Sequence, residues 1–113
     1  LHDNRDGNRN IGIGLNTLKK NNNGTFNTAN GVNALLNNFD GNYNTAIGNA
    51  ALLNNTNGSN NTAVGNLALT DFNTTGTGNT AVGASALNTD TTGTYNTAQE
   101  IRLSDIQQPY KMD

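Results

Sequence analysis

Few side chains in this sequence could do chemistry, and they lie far apart along the chain. His2 is the only histidine, and a general base or a metal ligand needs partner residues close by. The segment 3–8 is similar to a calcium loop, but its ligand spacing is wrong and no Glu closes the coordination sphere. No serine has a plausible base beside it, and cysteine is absent from the sequence. We therefore expect no enzyme activity, no metal and no cofactor.

Three carboxylates in the middle of the chain, Asp40, Asp71 and Asp90, could form a row or an acid pair. Their positions within the surrounding segments differ, which favours solvated turn residues instead. Between Asn21 and Gln99 these three are the only charged residues. Nucleic acid and anionic membranes both require a basic surface, so we expect neither as a partner. No apolar run approaches the ~20 residues of a membrane span, so we expect no membrane insertion of this segment.

The secondary-structure elements that position these side chains must be built from a sequence repeat. The sequence contains 13 Gly among its 113 residues, is rich in Asn and Thr, and has only 5% aromatic residues. Such a composition is typical of disorder when it is random. Here it is periodic, and a fixed period allows identical small residues to stack in ladders.

The repeat unit has 17 residues and opens with Asn, at spacings of 17, 17, 17, 18 and 17. The opening residues are Asn10, Asn27, Asn44, Asn61, Asn79 and Asn96. This pattern predicts a lead-in at 1–9, a repeat region at 10–98 and a cap or connector at 99–113. The units within the repeat region are 10–26, 27–43, 44–60, 61–78, 79–95 and a partial unit 96–98.

Several columns of the repeat predict a structural ladder. Glycine recurs at two fixed offsets, which marks places where the backbone turns tightly or takes a positive φ. A leucine column follows Ala in every complete unit except the first, where Leu18 follows Thr17. An Ile/Val column ends the segment Thr-Ala-Ile/Val and is broken at Asn30. In the three clearest units the predicted ladder residues are Asn44, Asn61, Asn79, Gly48, Gly65, Gly83, Leu52, Leu69, Leu87, Ile47, Val64 and Val82. The sequence does not decide whether the Ile/Val column faces the coil interior or a neighbouring chain.

The fold class predicted from these columns is all-β, a parallel β-solenoid with one 17-residue unit per coil. Thr-Ala-Ile/Val is too short for a helix, and its β-branched residues suit a pleated surface. Repeated glycine would destabilise a helix by about 1 kcal/mol per position. The unit is also shorter than the ~30 residues of a βαβ crossover, so stacked parallel coils are the natural solution.

One segment of the unit reads as an outer loop. The extra residue of the 18-residue interval lies between Leu69 and Gly76, and insertions are tolerated in surface loops rather than in stacked strands. The residue before each opening Asn also varies, as at a lateral surface. These positions predict a candidate adhesive surface of Phe39, Asp40, Tyr43, Asp71, Phe72, Asp90 and Tyr95.

The unit Asn-Thr-Ala-Ile/Val-Gly-x-x-Ala-Leu resembles the head repeat of YadA-like trimeric autotransporter adhesins, and similar repeats of bacteriophage tail fibres. The resemblance covers residues 7–98 and depends on recurrence of the motif. It implies a left-handed parallel β-roll, a homotrimer around one axis, and an adhesive or spacer role outside the cell. This unit is longer than the family's usual repeat, and the additional residues fall in the predicted outer loop.

The expected function is a rigid spacer or attachment segment of an extracellular trimeric fibre, on a cell surface or a virion. The first alternative is ice binding, because the Thr column from Thr28 to Thr97 could order water if it faced solvent at the ~4.8 Å strand spacing. The resemblance implies that this column faces inward, with Thr62 inaccessible. The second alternative is binding of a host receptor or a glycan.

Overall fold

The fold is a stack of coils with one short strand each. A computed structural model describes residues 6–70, 75–87 and 93–99. The six strands, numbered in chain order, are β1 Ile11–Ile13, β2 Thr28–Asn30, β3 Thr45–Ile47, β4 Thr62–Val64, β5 Thr80–Val82 and β6 Thr97–Gln99. They form one parallel sheet in the order β1-β2-β3-β4-β5-β6, so each strand pairs with the strand of the next coil. The predicted all-β parallel solenoid with 17-residue coils is confirmed.

The coils are joined by backbone hydrogen bonds that repeat once per coil. The N–H of Thr28 donates to the carbonyl of Asn44, and the N–H of Thr45 donates to that of Asn61, each at 2.8 Å. The bonds continue outside the strands, since the N–H of Leu35 donates to the carbonyl of Ala51 at 3.0 Å. The pairing therefore extends around the coil and fixes the register of every column.

The strands alternate between an outward and an inward side. Ala29, Ala46, Ala63 and Ala81 are fully buried at the centre of their strands. The Thr before each of these alanines and the residue after it point to the opposite side, because side chains alternate along a strand. The residue after the alanine is Asn30, Ile47, Val64 or Val82. The prediction that the Thr column faces inward is therefore wrong. Thr62 is half-buried on the outer side of the sheet, and alanine fills the interior.

The apolar core is a column of leucines packed with small residues. Leu18, Leu35, Leu52 and Leu69 are fully buried, and Leu87 is partly buried against them. The cluster is completed by the strand alanines and by the alanines directly before the later leucines, which are Ala34, Ala51, Ala68 and Ala86. Leu18 follows Thr17 instead. A coil with one leucine and two alanines inside has a thin apolar core, so polar side chains must fill the remaining interior.

The predicted outer loop lies only partly on the surface of the coil. Its segments 19–23, 36–40 and 53–57 each carry one fully buried asparagine, at Asn21, Asn38 and Asn55. In the longer interval Thr70 is also buried, and residues 71–74 lie outside the described residues. The loop turns back into the core because its asparagine completes hydrogen bonds that no apolar side chain could make.

The two glycine columns require glycine for different physical reasons. Gly48 and Gly65, which follow strands, have φ of 129° and 135°, a region that favours glycine. The second column, which includes Gly41 and Gly58, is required by space instead. A Cβ on Gly41 would lie 2.3 Å from the carbonyl oxygen of Gly58.

Leucine also takes left-handed backbone conformations, which the sequence did not indicate. Leu52 has a φ of 51°, and the four other leucines of its column have φ between 50° and 52°. Such a conformation costs roughly 1–2 kcal/mol for a residue with a Cβ. The surrounding coils impose it, since the same φ recurs at the same position in every described coil.

The predicted boundaries fall partly on described residues. The N–H groups of Asp6 and Gly7 both donate to the carbonyl of Asn22 at 3.0 Å, so the second half of the lead-in already stacks on the first coil. Residues 1–5 and 100–113 lie outside the described residues. The cap or connector therefore stays a prediction.

Candidate functional site

The opening asparagines form a ladder inside the coils. The Oδ1 atom of Asn44 accepts a hydrogen bond from the backbone N–H of Asn61 at 2.9 Å. Its Nδ2 atom donates to the carbonyl of Gly58 at 2.8 Å. Asn27, Asn61 and Asn79 make the equivalent pair of bonds, and all four side chains are fully buried. Each amide therefore links one coil to the next and also closes its own coil.

A second asparagine ladder lies beside the first. The Nδ2 atom of Asn38 donates to Oδ1 of Asn21 at 2.7 Å and to the carbonyl of Gly41 at 2.9 Å. Asn55 repeats this arrangement one coil later, with Oδ1 of Asn38 at 2.8 Å. The two ladders meet where Nδ2 of Asn61 donates to Oδ1 of Asn55 at 3.2 Å.

The interior polar network is neutral throughout the described residues. Its buried polar side chains are all Asn or Thr. Buried amides are stable only when their donors and acceptors are paired, and the linked ladders provide those partners. We missed the second ladder in the sequence, although Asn three residues before Gly in the first three units was the signal for it. These ladders stabilise the fold and offer no open chemistry.

The outer side of the sheet is the most regular surface. We call it the strand face and define it by Thr28, Thr45, Thr62, Thr80, Ile13, Asn30, Ile47, Val64 and Val82. Ile13, Ile47 and Val82 expose 58%, 41% and 45% of their surface, and none of the residues of this face carries a charge. The Ile/Val column therefore does not point into its own coil. Its strands pair in register, so the two outer columns run parallel along the stack.

The apolar part of the strand face widens toward the first coils. Leu15 and Val32, each directly after a strand-ending glycine, expose 68% and 44% of their surface. The Ile/Val column is interrupted at Asn30, which is exposed. Large exposed apolar patches are typical of surfaces that contact another molecule, so the strand face is a candidate for such a contact.

An aromatic column lies at the position before each opening asparagine. Phe26 and Tyr43 stack with ring centroids 4.9 Å apart and an interplanar angle of 4°. The guanidinium carbon of Arg9 lies 5.2 Å from the Phe26 ring centroid, which covers the other face of that ring. The Phe26 ring is covered on both faces and is therefore a poor platform for a sugar, which would pack against a ring face.

Four residues of the predicted adhesive surface lie among the described residues, and their adhesive role stays a prediction. Phe39, Asp40, Tyr43 and Tyr95 are exposed, with Tyr95 the most open at 83%. One Asp40 carboxylate oxygen accepts a hydrogen bond from Nδ2 of Asn23 at 3.0 Å. The other predicted residues, Asp71, Phe72 and Asp90, lie outside the described residues.

The described residues hold no group of three or more His, Cys, Asp or Glu side chains that could bind a metal ion. Within the same parts of the chain, no helix is long and apolar enough to cross a membrane. The chain matches no protein-family model, no curated protein and no solved structure. The surfaces of the solenoid are therefore the basis for a functional proposal.

Proposed function

We propose that this chain is a rigid structural segment of an extracellular trimeric fibre, which acts as a spacer or an attachment surface. The observation that carries the proposal is the uncharged strand face, whose exposed Ile/Val column repeats in register along the coil stack. The resemblance to adhesin and tail-fibre repeats supports the location outside the cell and the fibre role.

Stiffness follows from how the coils are connected. Each coil contacts its neighbours through backbone bonds all around the turn and through buried amides. In such a stack the free energy of unfolding is approximately a sum of the stability of each coil and the interaction energy between neighbouring coils. Coils can therefore be added without changing the core. This architecture suits a spacer, because it holds its two ends at a fixed distance.

Assembly of three copies would cover the apolar column. Ile47 and Val82 leave 41% and 45% of their surface exposed on a single chain, and burying apolar surface contributes about 25 cal/mol per Å². The repeat presents the same group at the same place in successive coils, so one rotation about an axis parallel to the stack matches all coils at once. The apolar core of one chain is thin, which makes this additional burial important for stability.

Analytical ultracentrifugation of the purified chain tests the assembly. We expect a trimer for the wild type and a monomer for the double variant Ile47→Lys, Val64→Lys, because charges on the strand face cannot be buried without partners. The matched control is Phe39→Lys, which adds a charge at an exposed residue away from the strand face and should remain trimeric. Circular dichroism should show β structure for every variant. A folded wild-type monomer at micromolar concentration would refute the trimer.

Ice binding is the second candidate, because the threonine column lies on the outer side of the sheet. Thr28, Thr45, Thr62 and Thr80 pair in register and are half-buried, so their hydroxyls form a regular array at about 4.8 Å spacing. A trimer would cover this array, so the same face cannot serve both functions. We expect no thermal hysteresis from the wild type. A monomer with hysteresis that disappears in Thr62→Leu would reverse the choice.

A further inference from the structure

Three asparagines of this chain precede glycine, which makes them candidates for spontaneous deamidation. They are Asn23, Asn30 and Asn57. In this reaction the backbone nitrogen of the glycine loses its proton and attacks Cγ of the asparagine, and ammonia leaves. The resulting five-membered succinimide is opened by solvent water at either carbonyl, which gives aspartate or isoaspartate. Glycine favours the reaction because no side chain restricts the approach.

The structure protects the step from Asn30 to Gly31. The Gly31 N–H donates to the carbonyl of Ile13 at 2.8 Å as part of the coil-to-coil pairing. Loss of that proton requires the pairing to open, as in hydrogen exchange. Asn30 is exposed, but its exposure does not release the nitrogen that must attack.

The structure also restrains the step from Asn23 to Gly24. The Nδ2 atom of Asn23 donates to a carboxylate oxygen of Asp40 at 3.0 Å, which holds the side-chain amide in place. The side chain must break this bond to bring Cγ onto the glycine nitrogen.

Asn57 has neither restraint. It is exposed, and its side chain makes no hydrogen bond with another residue in the described part of the chain. The Gly58 N–H donates to no carbonyl of the described backbone. We propose that Asn57 is the preferred deamidation site of the folded protein.

The two products have different consequences for the coil. Aspartate at 57 occupies the coil position that Asp40 holds one coil earlier, so the fold accepts it, although two carboxylates then lie in adjacent coils. Isoaspartate inserts an additional methylene into the main chain next to Gly58. A Cβ at Gly58 would already lie 2.3 Å from the Gly76 carbonyl oxygen, so this part of the coil has no room for the insertion.

Peptide mapping of the wild-type chain aged at mildly alkaline pH tests the proposal. The readout at each site is the mass increase of an amide converted to an acid, with enzymatic detection of isoaspartate. In the folded chain we expect the product at Asn57 to accumulate several-fold faster than at Asn23 or Asn30. In denaturant the three rates should become similar. Equal rates in the folded chain, or a faster reaction at Asn23 or Asn30, would overturn the proposal.

Three variants separate the assigned restraint from other causes of a difference in rate. Asn57→Gln should remove most of the deamidation product that forms first. The matched variant Asn23→Gln should leave the total amount of that product unchanged. Asp40→Ala should raise the rate at Asn23 toward that at Asn57, because it removes the hydrogen bond that holds the Asn23 amide. An unchanged rate at Asn23 in Asp40→Ala would contradict the assigned restraint.

Discussion

Asparagine forms the polar interior of this protein because one short neutral side chain can both accept and donate. At Asn44 the oxygen accepts from the next coil's backbone and the nitrogen donates to a glycine carbonyl. Leucine would leave both backbone groups without partners, and each buried group of that kind costs about 1–3 kcal/mol. Aspartate would keep the acceptor and lose the donor.

Replacing the buried Asn44 by aspartate should therefore be severe. We expect Asn44→Asp to lower the free energy of unfolding by about 3–5 kcal/mol at neutral pH, since it buries an uncompensated charge. The loss should shrink as the pH falls, because burial raises the pKa of a carboxyl group and the neutral acid brings no charge into the core. Denaturant unfolding followed by circular dichroism measures both effects.

The matched control for this substitution is Asn66→Asp. Asn66 is exposed and only accepts, from Nδ2 of Asn49 at 3.1 Å, so a carboxylate can take over its hydrogen bond. Its stability should change by less than about 0.5 kcal/mol. Similar losses in the two variants would show that the Asn44 side chain is not buried in solution.

At the scale of the element, the turn after each strand tolerates substitution less well than the strand itself. The turn requires glycine, whereas the strand positions accept several residue types. Gly48→Ala should destabilise by about 2 kcal/mol or more, because its φ of 129° is strained for any side chain. A Cβ there would also lie 2.5 Å from the Gly65 carbonyl oxygen. Thermal unfolding by circular dichroism gives the loss.

Gly78→Asn provides the comparison for that turn. Gly78 also has a positive φ, of 73°, but Asn60 holds the same coil position with a φ of 60°. Its new Cβ would meet only the ring of Tyr95, which is exposed and can move. Stability should be nearly unchanged. A loss as large as that of Gly48→Ala would mean that positive φ alone, and not the close approach of the next coil's backbone, sets the requirement.

The sequence was sufficient for the elements whose residues act locally. Strands such as Thr62–Val64, the leucine column and the coil length all follow from composition and spacing. The buried Asn38 was not predicted, because Asn is common on the surface and its burial depends on partners in two other coils. The outward Thr62 was also missed, since alternation shows which residues share a side but not which side faces inward.

At the scale of the whole molecule, a coil should be removable as a unit. Deleting residues 44–60 joins Tyr43 to Asn61, which restores the order found at Tyr43 and Asn44. We expect a cooperative β fold that is shorter by about 4.8 Å, measured by small-angle scattering and circular dichroism.

Deleting residues 44–59 instead is the control for that experiment. It leaves Asn60 as an additional residue before the opening Asn61, and a shift of one residue moves every strand side chain to the opposite side of the sheet. This variant should unfold or aggregate. Equal stability of the two deletions would show that the coils are not held in register by their asparagines.

The natural 18-residue interval shows where the coil accepts a change in length. Its additional residue falls between Leu69 and Gly76, while the flanking strands β4 and β5 keep Thr62 opposite Thr80. A gene that encodes coils of the same length can therefore change the length of the protein by recombination between repeat units. Each exchange in frame adds or removes one coil and leaves the side surfaces as they were. Length then becomes a heritable trait that varies while the side surfaces of the coils stay the same.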